Sequence, residues 1–483
     1  MLKGFTRKFK PLEILTEEQV ETIHRGILDV LQETGVRFES KRALKLFEKN
    51  DCQVDWSNNQ VRFPPALVEE CLRKAPSSFR IKARNPKNDL IIGGDTVYFE
   101  PGVGMQTIDI DTWELRTATR KENYDGVTIL DALDTVHFLS CYCPYFGFDN
   151  VPSVMAMLES VAAKIRNSTK AQWSGYQGRE MFTIEIAKVA EIELLGNIIC
   201  SPPLTYYGDG VENIFRFIEA GFPIDVCGGG TIAGATGPAT VAGSLIADGA
   251  LNVAGIVLVQ LIKPGTRVIV QGGAGPQNMR QGSPAFGAIG GSLHNVAYNQ
   301  IFRHYKIPIM DAGCYAGSSK RIDYQNGYEK AIPAVLAALS GANLIGFHGG
   351  MYGELSWHPF QAIIDDDVAG MIGRFIEGIK VNDETLAIDL IEKVGPIPGF
   401  YLNKEHTRKW WKKEQFVPKV ADRLTYPEWI KTGKKSCLDY AKERMNEIVA
   451  THKVAISLTS SQEKDIERIL KEARKYYKEK GLI

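Results

Sequence analysis

The stretch Ile224-Asp-Val-Cys-Gly-Gly-Gly230, then a helix-length segment at 239–262, then Arg267-Val-Ile-Val-Gln-Gly-Gly-Ala-Gly275, decides the predicted fold. Two short β-branched runs flank one long apolar segment, which is the pattern of a βαβ unit with parallel strands. Glycines follow each run directly, as expected where a strand ends in a tight loop or where another molecule approaches the backbone closely. The same alternation continues in both directions along the chain.

Eight such runs are found in the sequence. The predicted strands are Val97–Glu100, Val136–Ser140, Ala171–Gly175, Leu204–Tyr207, Ile224–Cys227, Arg267–Gln271, Ile307–Asp311 and Leu344–His348. The predicted helices between and after them are Lys121–Leu133, Val154–Arg166, Arg179–Glu193, Val211–Ala220, Ala239–Ile262, His294–His304, Gln325–Ser340 and Phe360–Gly378. Eight strands, each followed by a helix, predict an α/β protein of the (β/α)8 TIM-barrel class.

A doubly wound open sheet is the rival architecture. The segment Gly228-Gly-Gly-Thr-Ile-Ala-Gly234 follows a strand but lacks the glycine spacing of a dinucleotide-binding turn. No Gly-Lys-Ser or Gly-Lys-Thr phosphate loop occurs either. The sequence therefore favours the barrel.

The regions outside the barrel have helical signals of their own. Thr16-Glu-Glu-Gln19 reads as a capping box at the start of an amphipathic helix, and Ser460-Ser-Gln-Glu463 as another near the end of the chain. We predict an N-terminal extension of helices and short strands at 1–95, a catalytic barrel at 96–385, and a C-terminal helical tail at 386–483 packed on the barrel.

Composition excludes several classes of protein. The chain has 483 residues, of which 44% are hydrophobic, and its 57 Lys and Arg balance its 57 Asp and Glu. A nucleic-acid-binding protein would show a basic excess or stripe. Eight scattered cysteines in a long chain favour reduced thiols over a disulfide framework. The sequence predicts neither a signal peptide nor an apolar stretch long enough to span a membrane. A cytoplasmic location is therefore predicted.

In such barrels, catalytic residues follow the C-terminal ends of the strands. Glycines accumulate there, at Gly229, Gly230, Gly273, Gly349 and Gly350. Gln271 ends the sixth predicted strand, and aromatic residues occupy the same predicted rim; those chosen as candidate pocket residues are Tyr98, Phe99, Trp173, Tyr206, Phe347, Tyr352 and Trp357. Each aromatic residue taken singly is more often core. As a group they are candidates for a cage around a quaternary ammonium, held by cation–π attraction.

His348 is the most distinctive titratable residue, because it ends the eighth predicted strand and two glycines follow it. A lone histidine is usually structural, but the barrel rim makes a functional role about equally plausible. We therefore predict a rim side chain whose replacement by alanine lowers turnover more than stability. Lys320 and Arg321, after the seventh strand, are candidates to pair with a substrate carboxylate, with a solvated loop as the alternative.

No metal site is predicted. Cys141 and Cys143 form the only close cysteine pair, and His-Glu-x-x-His is absent. A structural zinc usually takes four ligands, and no second cluster lies nearby in sequence. Assembly in space with His348 or Cys314 stays open at this point.

Several blocks of the sequence resemble the trimethylamine methyltransferase superfamily. They are Gly234-Ala-Thr-Gly-Pro-Ala239, Asp311-Ala-Gly-Cys-Tyr-Ala-Gly-Ser-Ser-Lys-Arg-Ile-Asp-Tyr-Gln325, Gly327-Tyr-Glu-Lys330, Ala338-Leu-Ser-Gly-Ala-Asn343 and Gly349-Gly-Met-Tyr-Gly353. The resemblance extends from the N-terminal helix to about Gly373.

The resemblance implies a TIM barrel that moves a methyl group from an amine to the cobalt of a separate corrinoid protein. No pyrrolysine occurs here, so the chain resembles the nonpyrrolysine branch, whose substrates are quaternary amines such as glycine betaine, proline betaine and carnitine. The resemblance therefore implies glycine betaine as the substrate, a cobalamin-type corrinoid on a partner protein as the cofactor, His348 in an orienting role, and a homo-oligomer. The five rim glycines would then be the docking surface of the corrinoid.

Two other functions remain as alternatives. One keeps the barrel but uses a zinc ion on Cys141 and Cys143 to direct methyl transfer to a thiol. The other is a scaffold that binds a betaine or a corrinoid without catalysis.

Overall fold

The computed structural model describes residues 3–175, 180–228 and 230–483. Eight parallel strands, labelled β1 to β8, form the centre of a mixed α/β fold: Thr96–Pro101, Phe138–Leu139, Ala171–Trp173, Leu194–Ile199, Ile224–Cys227, Val268–Gly272, Ile309–Asp311 and Leu344–His348. Helices α1 to α8 follow them in turn: Arg120–Ala132, Ser153–Asn167, Glu180–Val189, Gly208–Glu219, Val241–Ile262, Ile289–His304, Tyr324–Ser340 and Pro359–Ile376. The predicted alternation of eight strands and eight helices is confirmed, although the fourth strand lies elsewhere in the sequence than predicted.

The strands pair in chain order from β2 to β8, and β8 pairs with β1. Between β1 and β2 the described residues form no ladder. The seam has one isolated parallel bridge, Phe99 to Val136, and the His137 amide donates to the Phe99 carbonyl at 2.9 Å. The sheet is therefore TIM-like and strongly curved, but its ladder is not continuous around a closed barrel.

The predicted fourth strand is wrong. Leu194–Ile199 takes that place, parallel to both β3 and β5. The segment predicted instead contributes the short strand Thr205–Tyr206, which pairs with Val36–Phe38 of the N-terminal region. Tyr206 consequently lies in the N-terminal core: its ring stacks on Phe38 at 4.8 Å, and its hydroxyl donates to the Leu251 carbonyl at 2.8 Å.

Alternation along the strands divides the barrel residues into two sets. Side chains on the inner faces share one hydrophobic cluster, which includes Tyr98, Leu195, Ile269, Met310 and Leu344. Those on the outer faces pack under the helices. The inner set fills the lower barrel, so it is a packed core rather than a pore.

The N-terminal region covers the barrel from outside. Its helices are Glu17–Asp29, Lys41–Lys49 and Pro65–Lys74, and its strands are Phe5–Thr6, Val36–Phe38, Gln53–Asp55, Gln60–Arg62, Ser78–Ile81 and Leu90–Gly93. The Thr16 capping box is confirmed. Phe5–Thr6 runs antiparallel to β1, and the buried Arg7 guanidinium donates to the Ala338 carbonyl at 3.1 Å. The first residues of the chain thus seal the N-terminal end of the sheet.

Helix α5 is long and apolar enough to span a membrane, contrary to the prediction from the sequence. Helix α5 has 22 residues and a mean hydropathy of 2.0, which meets the requirement for a membrane span by length and composition. However, 78% of its apolar window is buried inside the protein. It packs between the barrel strands and the N-terminal helices, as a core helix does.

The chain ends in the helices Asp383–Leu386, Ile388–Val394, Glu405–Glu414, Tyr426–Lys431, Cys437–Thr451 and Ser460–Glu479. The last of these has its capping box at Thr459 and Gln462, one residue before the predicted one. All eight cysteines are free thiols, as the composition predicted, and only Cys437 is exposed.

Candidate active site

A cavity of about 620 Å³ opens where β4, β5, β6 and β7 end. Ile199, Cys227, Gln271 and Ala312 form its floor. Its walls are Phe146, Met157, Gly230, Ile232, Gly272, Gly273, Gly275, Pro276, Pro284, Ala285, Phe286, Gly287, Ala288, Gly291, Ser292, Asn295, Gly313, Tyr315, Ala316, Pro333 and Glu354. This is the end of the barrel where the active sites of such folds lie.

Among the described residues, the cavity wall has one acidic side chain and no basic one. Glu354 accepts hydrogen bonds from two tyrosine hydroxyls, Tyr142 at 3.0 Å and Tyr315 at 2.8 Å. Burial, with the nearby Glu354, raises the pKa of Tyr315 well above its usual value, so its hydroxyl stays protonated and keeps donating. With the rings of Phe146, Phe286 and Tyr315, this carboxylate makes an aromatic-walled cavity of negative character.

Glycines shape the side of the cavity formed by β5 and β6. A Cβ at Gly228 would lie 2.5 Å from the Asp248 carboxylate, so only glycine fits there. The Asp248 carboxylate in turn accepts hydrogen bonds from the Gly273 amide and the Thr231 hydroxyl. Burial raises the pKa of Asp248 to about 7. A Cβ at Gly273 would meet nothing within 4 Å, so that residue borders open cavity.

A layer of polar side chains lies in the barrel directly beneath the floor. Asn197 and Asp225 precede Ile199 and Cys227 by two residues on the same strand faces, and the Asn197 amide donates to Asp225 at 2.6 Å. Burial raises the pKa of Asp225 to about 8 and that of Glu100 well above its usual value. These acids are therefore mostly protonated at neutral pH. One oxygen each of Glu100, Asn197, Asp225 and Gln271 has no hydrogen-bond partner within the described residues.

Three of the predicted site residues line the cavity: Gln271, Gly230 and Gly273. Gly229 lies outside the described residues. Gly349 and Gly350 are buried, and a Cβ at either would collide with Trp357 or Tyr315 respectively. The lack of a side chain at both positions permits this close packing. The structure therefore contradicts the predicted corrinoid-docking surface at Gly349 and Gly350.

Most of the predicted aromatic residues are core. Phe99 and Phe347 face outward into a cluster with the alanines of α7. Tyr98 accepts a hydrogen bond from the Ile91 amide at 3.3 Å. Trp357 is fully buried and donates to the His348 carbonyl at 3.1 Å. Trp173 is buried on the inner face of β3, outside the cavity lining.

Lys320, Arg321 and Tyr352 lie outside the cavity lining too. The Lys320 ammonium sits 4.2 Å from the centre of the Tyr352 ring, and the exposed Arg321 lies over the Trp113 ring at 5.8 Å. Both cations are therefore engaged with loop aromatics. A substrate carboxylate inside the cavity would instead meet neutral donors.

His348 does not occupy the predicted rim position. Its side chain is fully buried: Nε2 lies 2.8 Å from the Thr135 hydroxyl, which donates to Asp366 of α8 at 2.7 Å. Its Nδ1 lies 3.4 Å from the Glu100 carbonyl. Burial lowers the pKa of His348 to about 4, so the ring is neutral at pH 7. This environment is that of a structural histidine between the sheet and a helix.

We therefore expect His348→Ala to lower the free energy of unfolding by about 2 kcal/mol, because it leaves a cavity and removes the buried hydrogen bond between His348 and Thr135. Urea unfolding followed by circular dichroism measures this. The control is His304→Ala, whose side chain is half-exposed on α6 and should cost less than about 0.5 kcal/mol. A His348→Ala protein with unchanged stability and lost turnover would restore the catalytic role.

Four residues of the cavity wall were not predicted from the sequence: Phe146, Phe286, Tyr315 and Glu354. Tyr315 lies in the segment 311–325 and Glu354 follows the segment 349–353, both of which resemble the methyltransferase family. Their positions shortly after β7 and β8 could have identified them as candidates. Phe146 and Phe286 lie in irregular loops, which have no periodicity to mark them.

The candidate metal site at Cys141 and Cys143 is buried. Burial raises the pKa of the Cys143 thiol to about 11, which disfavours the thiolate that binds zinc. Across 3–175, 180–228 and 230–483, no group of three or more His, Cys, Asp or Glu is arranged to hold a metal ion.

Comparison with known proteins covers nearly the whole chain. A model of the family described as trimethylamine methyltransferase (MTTB) matches residues 1–467. The chain is 33% identical to a glycine betaine methyltransferase of Desulfitobacterium hafniense, over 91% of this chain and 92% of that protein. It is 31% identical to a trimethylamine methyltransferase MttB of the same species, over 90% and 89%.

A more distant trimethylamine methyltransferase, from Methanosarcina barkeri, is 25% identical over 97% of this chain and 96% of its own length. Among solved structures, the monomethylamine methyltransferase of Methanosarcina barkeri aligns over 96% of this chain and 93% of its own, with 10% identity and a TM-score of 0.46.

Proposed function

Because this chain belongs to the trimethylamine methyltransferase family, we propose that it moves a methyl group from a quaternary amine to the Co(I) of a corrinoid protein. Glycine betaine is the proposed substrate and dimethylglycine the product. The observation that carries this proposal is the aromatic-walled cavity, which has one carboxylate and no basic side chain among its described lining residues. The similarity to a glycine betaine methyltransferase supports the same substrate class.

The cavity suits a quaternary ammonium for electrostatic reasons. Aromatic ring faces attract such cations, and the Glu354 carboxylate adds one negative charge at the wall. The buried acids beneath the floor stay largely protonated, so they add little further charge. Positive charge leaves the nitrogen in the transition state, and a site that held the cation too tightly would stabilise the ground state instead. Weak, mainly aromatic binding fits this requirement.

The proposed reaction requires little acid–base catalysis from the residues of this chain. Co(I) supplies a strong nucleophile, and a quaternary amine leaves as a neutral tertiary amine that needs no proton. The residues of this chain have to hold one N–CH3 bond toward the cavity mouth and keep water away. Floor residues Ile199, Cys227 and Ala312 exclude water, while Phe286 and Tyr315 limit how the amine can rotate.

The carboxylate of glycine betaine needs a neutral anchor, since Lys320 and Arg321 lie elsewhere. Gln271 is the proposed one, because its side chain lies on the cavity floor and its amide NH2 group can donate to a carboxylate oxygen.

The corrinoid protein is proposed to dock over the cavity mouth. Gly230 and Gly273 border it. Exposed apolar side chains lie in the loop between β6 and α6 and at the start of α6 and α7: Met279, Ile289, Leu293 and Tyr324. Such residues are unusual on a surface that stays in water. A cytoplasmic enzyme that meets this protein partner is the proposed context.

An amine screen tests the function. Purified protein is mixed with Co(I) cobalamin and, separately, glycine betaine, proline betaine, carnitine and trimethylamine, and methylated cobalamin is followed by its absorbance. We expect glycine betaine to react and dimethylglycine to appear in equal amount. Reaction with trimethylamine alone would show that the proposed branch is wrong.

The same preparation separates the two alternatives. Stoichiometric zinc in elemental analysis would favour the thiol-directed methyltransferase. Calorimetric betaine binding without any methylated cobalamin, even with a competent corrinoid protein, would favour the non-catalytic scaffold.

Replacement of the wall carboxylate gives a residue-level test. We expect Glu354→Gln to raise KM for the quaternary amine about two- to fivefold and to change kcat little, since one exposed charge interaction contributes up to about 1 kcal/mol. Steady-state kinetics at two ionic strengths measure this, and Glu405→Gln, an exposed residue far along the chain, is the matched control. A fall in kcat with constant KM would place Glu354 in the chemical step instead.

A further inference from the structure

Residues 377–419, here called the arm, leave the barrel after Ile376 and rejoin the packed protein at Val420. None of these residues is buried. The arm contains the helices Asp383–Leu386, Ile388–Val394 and Glu405–Glu414, and none of the three has a buried side chain. An ordered segment of this length with no core of its own is unusual, because ordering a backbone costs about 1–2 kcal/mol per residue.

The composition of the arm makes this exposure more unusual. Segments that stay in water without a core are normally polar. The arm instead exposes large apolar side chains: Ile379, Val381, Leu386, Ile388, Ile391, Ile397, Phe400, Tyr401, Leu402 and Trp411. Ile397 is 94% exposed and Leu402 is 84% exposed.

The uncovered area of these side chains is large enough for a protein–protein contact. Summed over these ten residues, which lie on the three helices of the arm and the segments between them, the uncovered area is on the order of 1,000 Å². A standard interface buries about 800 Å² on each partner. The arm therefore has the apolar area of one side of a stable interface.

Contacts within the arm do not account for its order. They are mainly exposed polar pairs: Lys409 with Glu384, the Thr407 hydroxyl with the Tyr401 carbonyl at 2.7 Å, and His406 with the Glu384 carbonyl at 3.3 Å. Exposed pairs of this kind contribute at most about 1 kcal/mol each. Helices shorter than about 12 residues are marginal in water without tertiary packing.

The arm is nevertheless fixed firmly at its base. Arg374 of α8 donates to the Gly378 carbonyl at 2.8 Å, where the arm begins. The same guanidinium donates to the Glu414 carbonyl at 3.2 Å and to the Glu414 carboxylate at 2.9 Å, close to where it ends. One side chain thus holds both ends of the arm together, and the segment between them projects as a unit.

The position of the arm favours a second copy of the chain as its partner over a protein that docks at the cavity mouth. Helix α8 begins beside the end of β8, at the cavity end of the barrel, and runs to the opposite end. There the Ile376 carbonyl accepts a hydrogen bond from the Lys8 amide at 2.9 Å, and Phe375 packs on Phe9. A protein that docks over the cavity mouth would lie at the other end. A second copy of the chain is present wherever the chain is, and a two-fold contact uses the same surface on both partners.

We propose that the arm binds a second copy of this chain, so that two arms pack against each other across a two-fold axis. This contact buries the exposed apolar side chains of residues 379–411 and supplies the core that the arm lacks. The proposal concerns assembly only, and it does not depend on the proposed methyl-transfer reaction.

The test measures the mass of the full-length protein in solution. Sedimentation equilibrium at several concentrations should give at least twice the chain mass of 53.6 kDa for the wild type. The double variant Ile397→Asp/Leu402→Asp should sediment as a monomer. Because these two side chains touch almost nothing within their own chain, the variant should keep its circular dichroism spectrum and the unfolding of its barrel.

A control and a second measurement make the outcome decisive. Ile456→Asp places the same charge at another exposed isoleucine, in the loop before the last helix, and should leave the mass unchanged. In hydrogen exchange, arm amides should be protected in the wild type and exchange much faster in the double variant. A monomeric wild type, or a double variant that stays oligomeric, overturns the proposal. Protection of the arm only after a corrinoid protein is added would assign the arm to that partner instead.

Discussion

Gly273→Phe should reduce methyl transfer by at least about 100-fold while leaving the protein folded. Gly273 borders the cavity, and a Cβ added there meets no atom within 4 Å, so an aromatic side chain enters the cavity without displacing the backbone. It would then occupy space that the amine and the approaching corrinoid share. A misplacement of about 1 Å between reacting atoms can cost a factor of about 100 in rate.

Turnover is measured by the cobalamin absorbance assay, and folding by thermal unfolding of the same samples. Gly273→Ala is the matched control: it adds one methyl group in open space, and we expect its activity to stay within about threefold of the wild type. Full activity in Gly273→Phe would show that the reaction takes place elsewhere in the molecule.

Asp225→Asn should change how stability depends on pH. Burial holds the pKa of Asp225 at about 8, while the same group in the unfolded chain titrates near 3.9. Between these values the folded protein keeps a proton that the unfolded chain has lost. Through this residue, the free energy of unfolding therefore falls as pH rises from about 4 to about 8, by up to about 1.4 kcal/mol per pH unit. Above pH 8 this contribution is constant.

The variant lacks this titration, because asparagine stays neutral and can still accept the Asn197 hydrogen bond. Relative to the wild type, Asp225→Asn should gain stability steadily from pH 5 to pH 8, by several kcal/mol in total at most. Denaturant unfolding of both proteins at four pH values measures the difference. Ile224→Val, a core substitution on the same strand that changes no titratable group, is the control and should give a constant difference. A flat profile for Asp225→Asn would mean that this carboxyl is ionised in the folded protein.

Local sequence signals predicted seven of the eight barrel strands, because their β-branched runs are typical of buried parallel strands. The fourth strand, Leu194-Leu-Gly-Asn-Ile-Ile199, contains a glycine and an asparagine, which are depleted in strands. The glycine and the asparagine are each explained by a contact with another part of the fold. A Cβ at Gly196 would lie 2.8 Å from Phe217, and Asn197 bonds Asp225 on the neighbouring strand. Such reasons are invisible until the strands are placed side by side.

The cavity lies at the end of the barrel where the sequence predicted the site, but only three of the predicted side chains and glycines line it. The register of β8 against β1 shifts between Gly346 and His348, so simple alternation mispredicts where His348 points. Glycines at 349 and 350 looked like an opening for a ligand, yet they allow contact with Trp357 and Tyr315. Gln271 was found because it ends a strand whose alternation is regular.

The bond between Arg7 and the Ala338 carbonyl joins residues 331 positions apart. A ribosome adds about 5–20 residues per second, so roughly 15 to 65 seconds pass between the synthesis of Arg7 and that of Ala338. Phe5–Thr6 can pair with β1 early, but the other edge of β1 stays unpaired until β8 has been made. The sheet can therefore close at β1 only after nearly three quarters of the chain has been synthesised. Non-local pairing of this kind is slow, so the free edge of β1 is the part of the unfinished sheet that is exposed to aggregation for longest.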